Sequence, residues 1–175
     1  MEPFMFPDEW PLIYELSSNL PPNSKIVEWG CGGSTIKFCE SLRDDQTIIS
    51  IEHNREWFEK VLNELGTKQK SNWRLYYKPA NDLWPHETHT LADDLPIGLD
   101  EYLYPGDYVL DGDLYLIDGI CRATVALILL AKAKNRDAIV LIHDYTFRQH
   151  YYEWAVKLFP RSERIGTSLL KLYLR

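Results

Sequence analysis

The stretch Lys25-Ile26-Val27-Glu28-Trp29-Gly30-Cys31-Gly32-Gly33-Ser34-Thr35 decides the fold. An apolar run ends in the carboxylate of Glu28, three glycines follow within four positions, and Ser34 and Thr35 open a segment that can be helical. A strand, a glycine turn and a helix in this order form the first βα unit of a nucleotide-binding α/β sheet. Glycines at such a turn let backbone N–H groups and the helix N-terminus approach a ligand closely.

The composition is that of one globular domain over residues 1–175. The chain is 45% hydrophobic and 13% aromatic, which suits a packed core and argues against disorder. Its net charge of −7 and the lack of a Lys/Arg cluster argue against nucleic acid as a partner. Three cysteines without disulfide or zinc spacing indicate a reducing compartment. With neither a signal-peptide pattern nor an apolar run of membrane length, we expect a cytoplasmic protein with no membrane contact.

Hydrophobic periodicity predicts alternating helices and strands along the chain. A helix within residues 1–22, capped by Asp8, ends at Pro21-Pro22. The predicted strands are 25–29, 47–51, 73–78, 114–119, 138–142, 162–167 and 169–174, and the later helices are 34–42, 54–65, 121–134 and 149–159. This order predicts an α/β fold with a doubly wound, seven-stranded, mostly parallel sheet and one antiparallel strand. Its ligands would bind at the carboxyl ends of the strands, near the switch point beside the first strand.

Residues 79–112 differ from the rest of the chain. They contain four prolines and many acidic residues, with a short helix predicted around 92–103. A long irregular segment inside a compact domain is often functional, so we interpret it as a lid or substrate loop.

Glu52 ends the second predicted strand, about 20 residues after the glycine turn, where an acid can accept both hydroxyls of a ribose. A dinucleotide fingerprint would have a third glycine where Thr35 stands, and Glu28 is unfavourable beside a pyrophosphate. A carboxylate there suits a ligand with a positive charge, such as an amino group or a sulfonium. An NAD-dependent oxidoreductase therefore remains the alternative enzyme, and a tight βα connection without a ligand is the simpler interpretation.

Residues 27–35 and 51–57 together resemble the class I S-adenosylmethionine-dependent methyltransferases. Residues 116–122 and 140–145 resemble a small-molecule O-methyltransferase-like subgroup of them. The resemblance covers nearly the whole chain. It implies a Rossmann-like methyltransferase fold, S-adenosylmethionine as cofactor, and methyl transfer to an oxygen or nitrogen of a small-molecule acceptor.

The resemblance also implies which residues bind the cofactor. Glu28 and the glycine turn would hold its methionine part, Glu52 its ribose, and His53, Trp57 and Asp82 the adenine and the adjacent wall. The full set expected at the cofactor is Glu28, Gly30, Cys31, Gly32, Gly33, Ser34, Thr35, Glu52, His53, Trp57, Asp82, Asp118 and Gly119.

Asp118, His143 and Asp144 end two neighbouring predicted strands and are the expected catalytic residues. His143 has a suitable pKa for removing the proton of a hydroxyl acceptor. Asp118 and Asp144 match positions of metal-binding carboxylates in cation-dependent relatives, but Tyr145 replaces the usual Asn, so we expect no metal. The simpler interpretations are a hydrogen-bonded histidine and a helix-capping Asp144.

Arg122 and Tyr145 are the residues expected at the acceptor. Arg122 binds an anionic group of the substrate or else closes the start of its helix. Beyond the two enzyme functions, a catalytically silent cofactor-binding or scaffolding domain is a third possibility, because a fold by itself does not fix an activity.

Overall fold

The structure is a computed structural model that describes residues 1–81 and 96–175. Its helices are α1 (Glu9–Ser18), α2 (Gly33–Ser41), α3 (Arg55–Leu65), α4 (Asp100–Leu103), α5 (Arg122–Lys132) and α6 (Tyr145–Val156). Its strands are β1 (Lys25–Trp29), β2 (Thr47–Glu52), β3 (Trp73–Tyr77), β4 (Leu114–Ile117), β5 (Ile139–Ile142), β6 (Arg161–Ile165) and β7 (Leu169–Tyr173). The predicted alternation of strands and helices is confirmed.

The seven strands form one sheet in the order β3-β2-β1-β4-β5-β7-β6. Strands β1 to β5 are mutually parallel, whereas β7 runs antiparallel to both β5 and β6. The predicted fold class is therefore confirmed, including its one antiparallel strand. From β1 the chain first builds outward to β2 and β3 and then returns to the other side of β1 with β4, so the switch point lies between β1 and β4.

Alternating side chains of the central strands supply two hydrophobic layers. Ile26 of β1 faces the layer that Ile13 of α1 and Val61 of α3 share. Its neighbour Val27 faces the opposite layer, which includes Val125 of α5. This alternation follows from the two-residue period of a strand. Helices α1 to α3 thus cover one face of the sheet and α4 to α6 the other.

Two helix starts differ from the sequence-based expectation. The carboxylate of Asp8 makes no capping bond to α1 and instead accepts the hydroxyl of Thr167 at 3.0 Å. Helix α6 begins at Tyr145, four residues early, and departs from helical geometry at Arg148 with φ −120°. The apolar periodicity of the sequence predicted only the part of the helix that follows this kink. The predicted cap of α3 is confirmed, because Asn54 accepts the backbone N–H of Trp57 at 3.0 Å.

The described part of the proposed lid comprises residues 79–81 and 96–112, and the longer stretch packs against the sheet. Its helix α4 contributes Tyr102 and Leu103 to the core, and Leu99 before it is fully buried. The indole N–H of Trp29 in β1 donates to the carbonyl of Tyr102 at 2.9 Å. This stretch is thus anchored to the core. Residues 82–95, with the proposed adenine ligand Asp82, lie outside the described residues.

Within the part of the chain that the structure describes, no helix has the length and apolar character needed to cross a membrane.

Candidate functional site

A cavity of about 840 Å³ opens at the carboxyl ends of the parallel strands. The glycine turn after β1 and the β2–α3 connection form one end of it. The β4–α5 connection and the residues after β5 form the other. Residues 1–4 lie along its side. Its position at the switch point matches the expectation for a doubly wound sheet.

Gly30 brings the two ends of the cavity into contact. Its φ of +86° lies in the left-handed region, where glycine is favoured. A Cβ at this position would lie 2.5 Å from the backbone nitrogen of Gly119. Only a glycine allows the β1–α2 turn to pass this close to the β4–α5 turn. Gly119 is restricted in a different way, because a Cβ at this position would collide with the hydroxyl of the buried Tyr102 side chain.

Glu28 lies beneath the glycine turn, fully buried. Its carboxylate accepts hydrogen bonds from the hydroxyls of Ser34, Thr35 (2.6 Å) and Ser50 (2.8 Å). Burial raises its pKa to about 7, against the lowering effect of these three bonds. The geometry does not support the expected direct contact of Glu28 with a cofactor, since its carboxylate has no surface in the cavity. Glu28 instead braces the turn from below.

Thr35 completes this bracing. Its hydroxyl donates to Glu28 and accepts the backbone N–H of Gly32 at 2.9 Å. Thr35 is fully buried, so its expected contact with the cofactor is replaced by a role within the turn. The first residues of α2 are therefore fixed by side chains of the same motif.

Glu52 borders the cavity at the end of β2 and holds the glycine turn from the side. Its Oε2 accepts the backbone N–H of Cys31 at 3.0 Å, and its Oε1 accepts those of His53 at 2.8 Å and Asn54 at 2.7 Å. The indole N–H of Trp57 donates to the carbonyl of Cys31. Glu52, His53 and Trp57 all line the cavity beside the turn. The structure therefore brings these predicted residues together.

At the opposite end, Arg122 is buried and binds backbone carbonyls. Its guanidinium donates to the carbonyls of Gly119 (2.7 Å), Asp118 (3.2 Å) and His143. It also lies 3.4 Å from a carboxylate oxygen of Asp118 and 3.3 Å from one of Asp144. Arg122 thus ties the ends of β4 and β5 together, which agrees with its simpler interpretation. A contact with an anionic substrate is not supported, because its donors are already engaged.

His143 is enclosed between two carboxylates. Its Nδ1 lies 2.7 Å from Oδ1 of Asp118, and its Nε2 lies 3.0 Å from Oε2 of Glu9. Burial alone would lower the pKa of His143, but the bond to Asp118 and the charges of Asp118 and Asp144 outweigh it and raise that pKa. Each ring nitrogen faces a carboxylate oxygen, and an ionised carboxylate only accepts, so this geometry favours a hydrogen on both nitrogens. This arrangement argues against His143 as the general base, because neither nitrogen is free to take a proton.

Asp118 and Asp144 keep about a quarter of their side chains exposed and line the cavity. Together with His143 they offer ligand atoms within 4.8 Å of one another, so they are a candidate metal-binding group. A divalent cation fits this group poorly. The guanidinium of Arg122 is already close to both carboxylates, and Nδ1 of His143 is bonded to Asp118.

Tyr145 does not reach the acceptor side in the described part of the structure. It is 4% exposed, its N–H donates to the carbonyl of Ser168 at 2.8 Å, and Arg164 lies over its ring. Its expected role in substrate binding is therefore not supported. Burial in the α6–β7 packing explains why a tyrosine follows Asp144.

Glu9 was not predicted from the sequence, although it is a central group of the site. It is fully buried in the first turn of α1 and contacts His143 from a position 134 residues away. An acidic residue in a first helical turn is ordinary, so the local pattern carried no signal for it. Residues 1–4 at the cavity were also not predicted.

Several solved structures with the same fold are described as methyltransferases. An S-adenosylmethionine-dependent O-methyltransferase from Thermotoga maritima aligns with a TM-score of 0.64 at 10% identity, over 98% of this chain and 66% of that one. Precorrin-6y C5,15-methyltransferase from Geobacter metallireducens aligns with a TM-score of 0.59 at 11% identity, over 98% and 97%. The chain has the Rossmann-like methyltransferase fold.

Sequence comparison adds a partial match to a second class of proteins. One subunit of the aspartyl/glutamyl-tRNA(Asn/Gln) amidotransferase of Rickettsia typhi is 33% identical over 144 residues, which are 79% of this chain and 26% of that protein. The corresponding protein from Rickettsia rickettsii is 38% identical over 73 residues. This chain spans only 14% to 26% of the length of these curated relatives. No protein-family model matches the chain.

Proposed function

We propose that the protein is an S-adenosylmethionine-dependent methyltransferase that acts on an oxygen or nitrogen of a small-molecule acceptor. One observation carries this proposal. At the cavity, the backbone N–H of Cys31 in the glycine turn is bonded to Glu52 at the end of the adjacent strand. This supports the proposal, because a glycine turn next to a strand-end carboxylate is the arrangement that would hold a nucleoside and its ribose.

The residues at this end of the cavity fit S-adenosylmethionine. Glu52 would hold the ribose hydroxyls, and the turn from Gly30 to Ser34 would approach the methionine part with little side-chain bulk. Trp57 and His53 would form the wall beside the adenine. When bound, the cofactor supplies a methyl group on a positively charged sulfur.

The acceptor would approach from the end of the cavity that Asp118 and Asp144 line. An in-line displacement depends mainly on alignment and the exclusion of water, and an acceptor O–H or N–H must also lose its proton. The engagement of both His143 nitrogens favours the two partly exposed carboxylates as the proton acceptors. His143 and Arg122 then orient Asp118 and Asp144 from behind.

Isothermal titration calorimetry tests the cofactor. We expect S-adenosylmethionine and S-adenosylhomocysteine to bind and NAD not to bind. Binding of NAD alone would favour the oxidoreductase instead, and binding of none of the three would refute the proposal.

Glu52→Gln tests the position of the binding site. Losing a charge-assisted hydrogen bond costs about 1.5–3 kcal/mol, so we expect S-adenosylhomocysteine to bind about 10- to 100-fold more weakly. Glu59→Gln is the matched control. Glu59 is exposed and forms an ion pair with Arg55, which also lies in α3, away from the glycine turn. Circular dichroism of both variants verifies folding. Equal affinities in the two variants would place the ribose elsewhere.

Methyl transfer to a panel of phenols, carboxylic acids and amines separates an enzyme from a silent cofactor-binding domain. We expect labelled methyl groups on at least one class of acceptor. Binding of the cofactor without transfer to any of them would favour the silent domain.

A further inference from the structure

The residues that precede α1 lie against the cofactor end of the cavity. We call residues 1–8 the N-terminal segment. Its Glu2-Pro3 backbone occupies the space beside Gly33, where an added Cβ would lie within 2.2–2.4 Å of it. Residues 1–4 line the cavity. The ring of Phe6 stacks on Phe147 of α6, with centroids 5.6 Å apart.

Glu9 anchors this segment to the rest of the site. Its Oε2 accepts the backbone N–H of Phe6 at 2.9 Å and lies 3.0 Å from Nε2 of His143. Its Oε1 accepts the backbone N–H of Ser168 at 2.7 Å and the hydroxyl of Ser168 at 2.5 Å. One buried carboxylate therefore joins the N-terminal segment, the end of β5 and the β6–β7 turn.

The bond to Glu9 also decides how the ring of His143 is oriented. A carboxylate accepts only, so Nε2 must carry a hydrogen and point at Glu9. Nδ1 on the other side of the ring then points at Asp118, 2.7 Å away. Asp118 is in turn one of the two carboxylates that line the acceptor end of the cavity.

We propose that Glu9 is a positioning residue of the methyltransferase site. Its carboxylate fixes the His143 ring against Asp118 and holds the N-terminal segment along the cavity through Phe6. One buried side chain therefore fixes the position of Asp118 and the position of the residues that cover the glycine turn. This inference rests on the proposed function, because the cofactor and the acceptor are what these groups would face.

A purely structural role for Glu9 would be to attach α1 to the β6–β7 turn. Ser168 separates the two roles. Ser168→Ala removes the hydroxyl that binds Oε1 and leaves Oε2 with Phe6 and His143. Glu9→Gln keeps the shape of the side chain but removes its charge and turns one of its two acceptor ends into a donor.

The first measurement is made on the unmodified protein without a ligand. The protein has five histidines. In a nitrogen NMR spectrum of the protein with labelled histidine, we expect Nε2 of His143 to carry a bonded hydrogen. An Nε2 without hydrogen would overturn the proposal.

The second measurement compares the variants. In Glu9→Gln we expect a shifted His143 Nε2 signal and about tenfold faster hydrogen exchange of the Phe6 amide, as when a charge-assisted bond is lost. Ser168→Ala should lower Tm while leaving both signals in place. Glu15→Gln, on the exposed face of α1, should change neither the His143 signal, nor the exchange of the Phe6 amide, nor Tm. Equal effects of Glu9→Gln and Ser168→Ala on both signals would show a structural role only and overturn the proposal.

The third measurement is the affinity for S-adenosylhomocysteine. We expect a loss of about tenfold in Glu9→Gln, equivalent to about 1.4 kcal/mol, and little change in Ser168→Ala. An unchanged affinity in Glu9→Gln would overturn the proposal. If the unmodified protein does not bind S-adenosylhomocysteine, the proposed function fails, whereas the NMR and exchange measurements still decide the role of Glu9.

Discussion

The two ends of the cavity are built from contacts of very different range. At the end formed by β1 and β2, Gly32 and Thr35 are three residues apart, Ser34 and Glu28 six, and Cys31 and Glu52 21. At the end formed by β4 and β5, His143 is 25 residues from Asp118 and 134 from Glu9. Glu9 and Ser168 are 159 residues apart.

This difference separates a local motif from an assembled one. The turn after β1 is braced by residues of its own motif and by the adjacent strand, so its geometry is fixed once the first βαβ unit forms. The cluster around His143 exists only after α1, β4, β5 and the β6–β7 turn have packed together. Substitutions at the two ends should therefore have different effects on stability and on binding.

Gly30→Ala should have the largest effect, because Gly30 is where the two ends touch. The left-handed φ and the 2.5 Å approach to Gly119 combine backbone strain with a clash against backbone. We expect the free energy of unfolding to fall by about 3–5 kcal/mol. Urea denaturation measures it.

Gly66→Ala is the matched control for this prediction. Gly66 also has a positive φ, +46°, but an added Cβ would meet nothing within 4 Å. With ψ of −118° its backbone is strained for an alanine, so we expect a loss of about 1–3 kcal/mol from strain without any clash. Similar losses at both positions would show that close contact between the two turns is not what Gly30 provides.

Glu28→Gln should change how stability depends on pH. The pKa of Glu28 is raised from 4.5 to about 7, so the folded state takes up a proton between these values that the unfolded chain does not. The stability from this group is fully present below pH 4.5 and is lost as the pH rises through about 7. The loss is on the order of 3 kcal/mol.

Urea denaturation from pH 4.5 to 8 tests this. The glutamine side chain of the variant does not titrate, so the stability of the variant minus that of the unmodified protein should rise with pH by about 3 kcal/mol. Parallel pH profiles would contradict the raised pKa of Glu28 and its place beneath the turn.

Trp57→Phe should have a smaller effect, confined to the cofactor end. The variant loses the indole N–H that donates to the carbonyl of Cys31 but keeps an aromatic ring at the cavity wall. We expect a loss of about 1 kcal/mol in stability and a few-fold weaker binding of S-adenosylhomocysteine. Trp154→Phe, on the exposed face of α6, is the control. A larger loss in the control would contradict the assignment.

Magnesium should have no effect on stability. Any ion that bound the folded protein at Asp118 and Asp144 would raise Tm. We expect an unchanged Tm in magnesium chloride relative to potassium chloride at equal ionic strength, because the guanidinium of Arg122 already lies 3.3–3.4 Å from both carboxylates. A higher Tm in magnesium would show that the cation displaces Arg122.

Most of the fold followed from the sequence, because strand and helix periods are local properties. The predicted start of α6 was wrong because its first turn ends at the Arg148 kink and shares no periodicity with the rest. At the site, Glu52, His53 and Trp57, which were predicted at the cofactor, line the cavity beside the glycine turn. Tyr145, predicted at the acceptor, is instead buried in the hydrophobic core, and this packing leaves no trace in the residues around it in the sequence.

The sequence by itself determined the doubly wound sheet, the glycine turn after β1 and the acid at the end of β2. Those features depend on residues whose partners are close in the chain or in the next strand. Only the tertiary structure decided the roles of Glu28, His143 and Glu9. Glu28 is buried beneath the glycine turn, out of the cavity, and His143 lies between two carboxylates from distant parts of the chain. Desolvation and long-range hydrogen bonds exist only once the chain is packed.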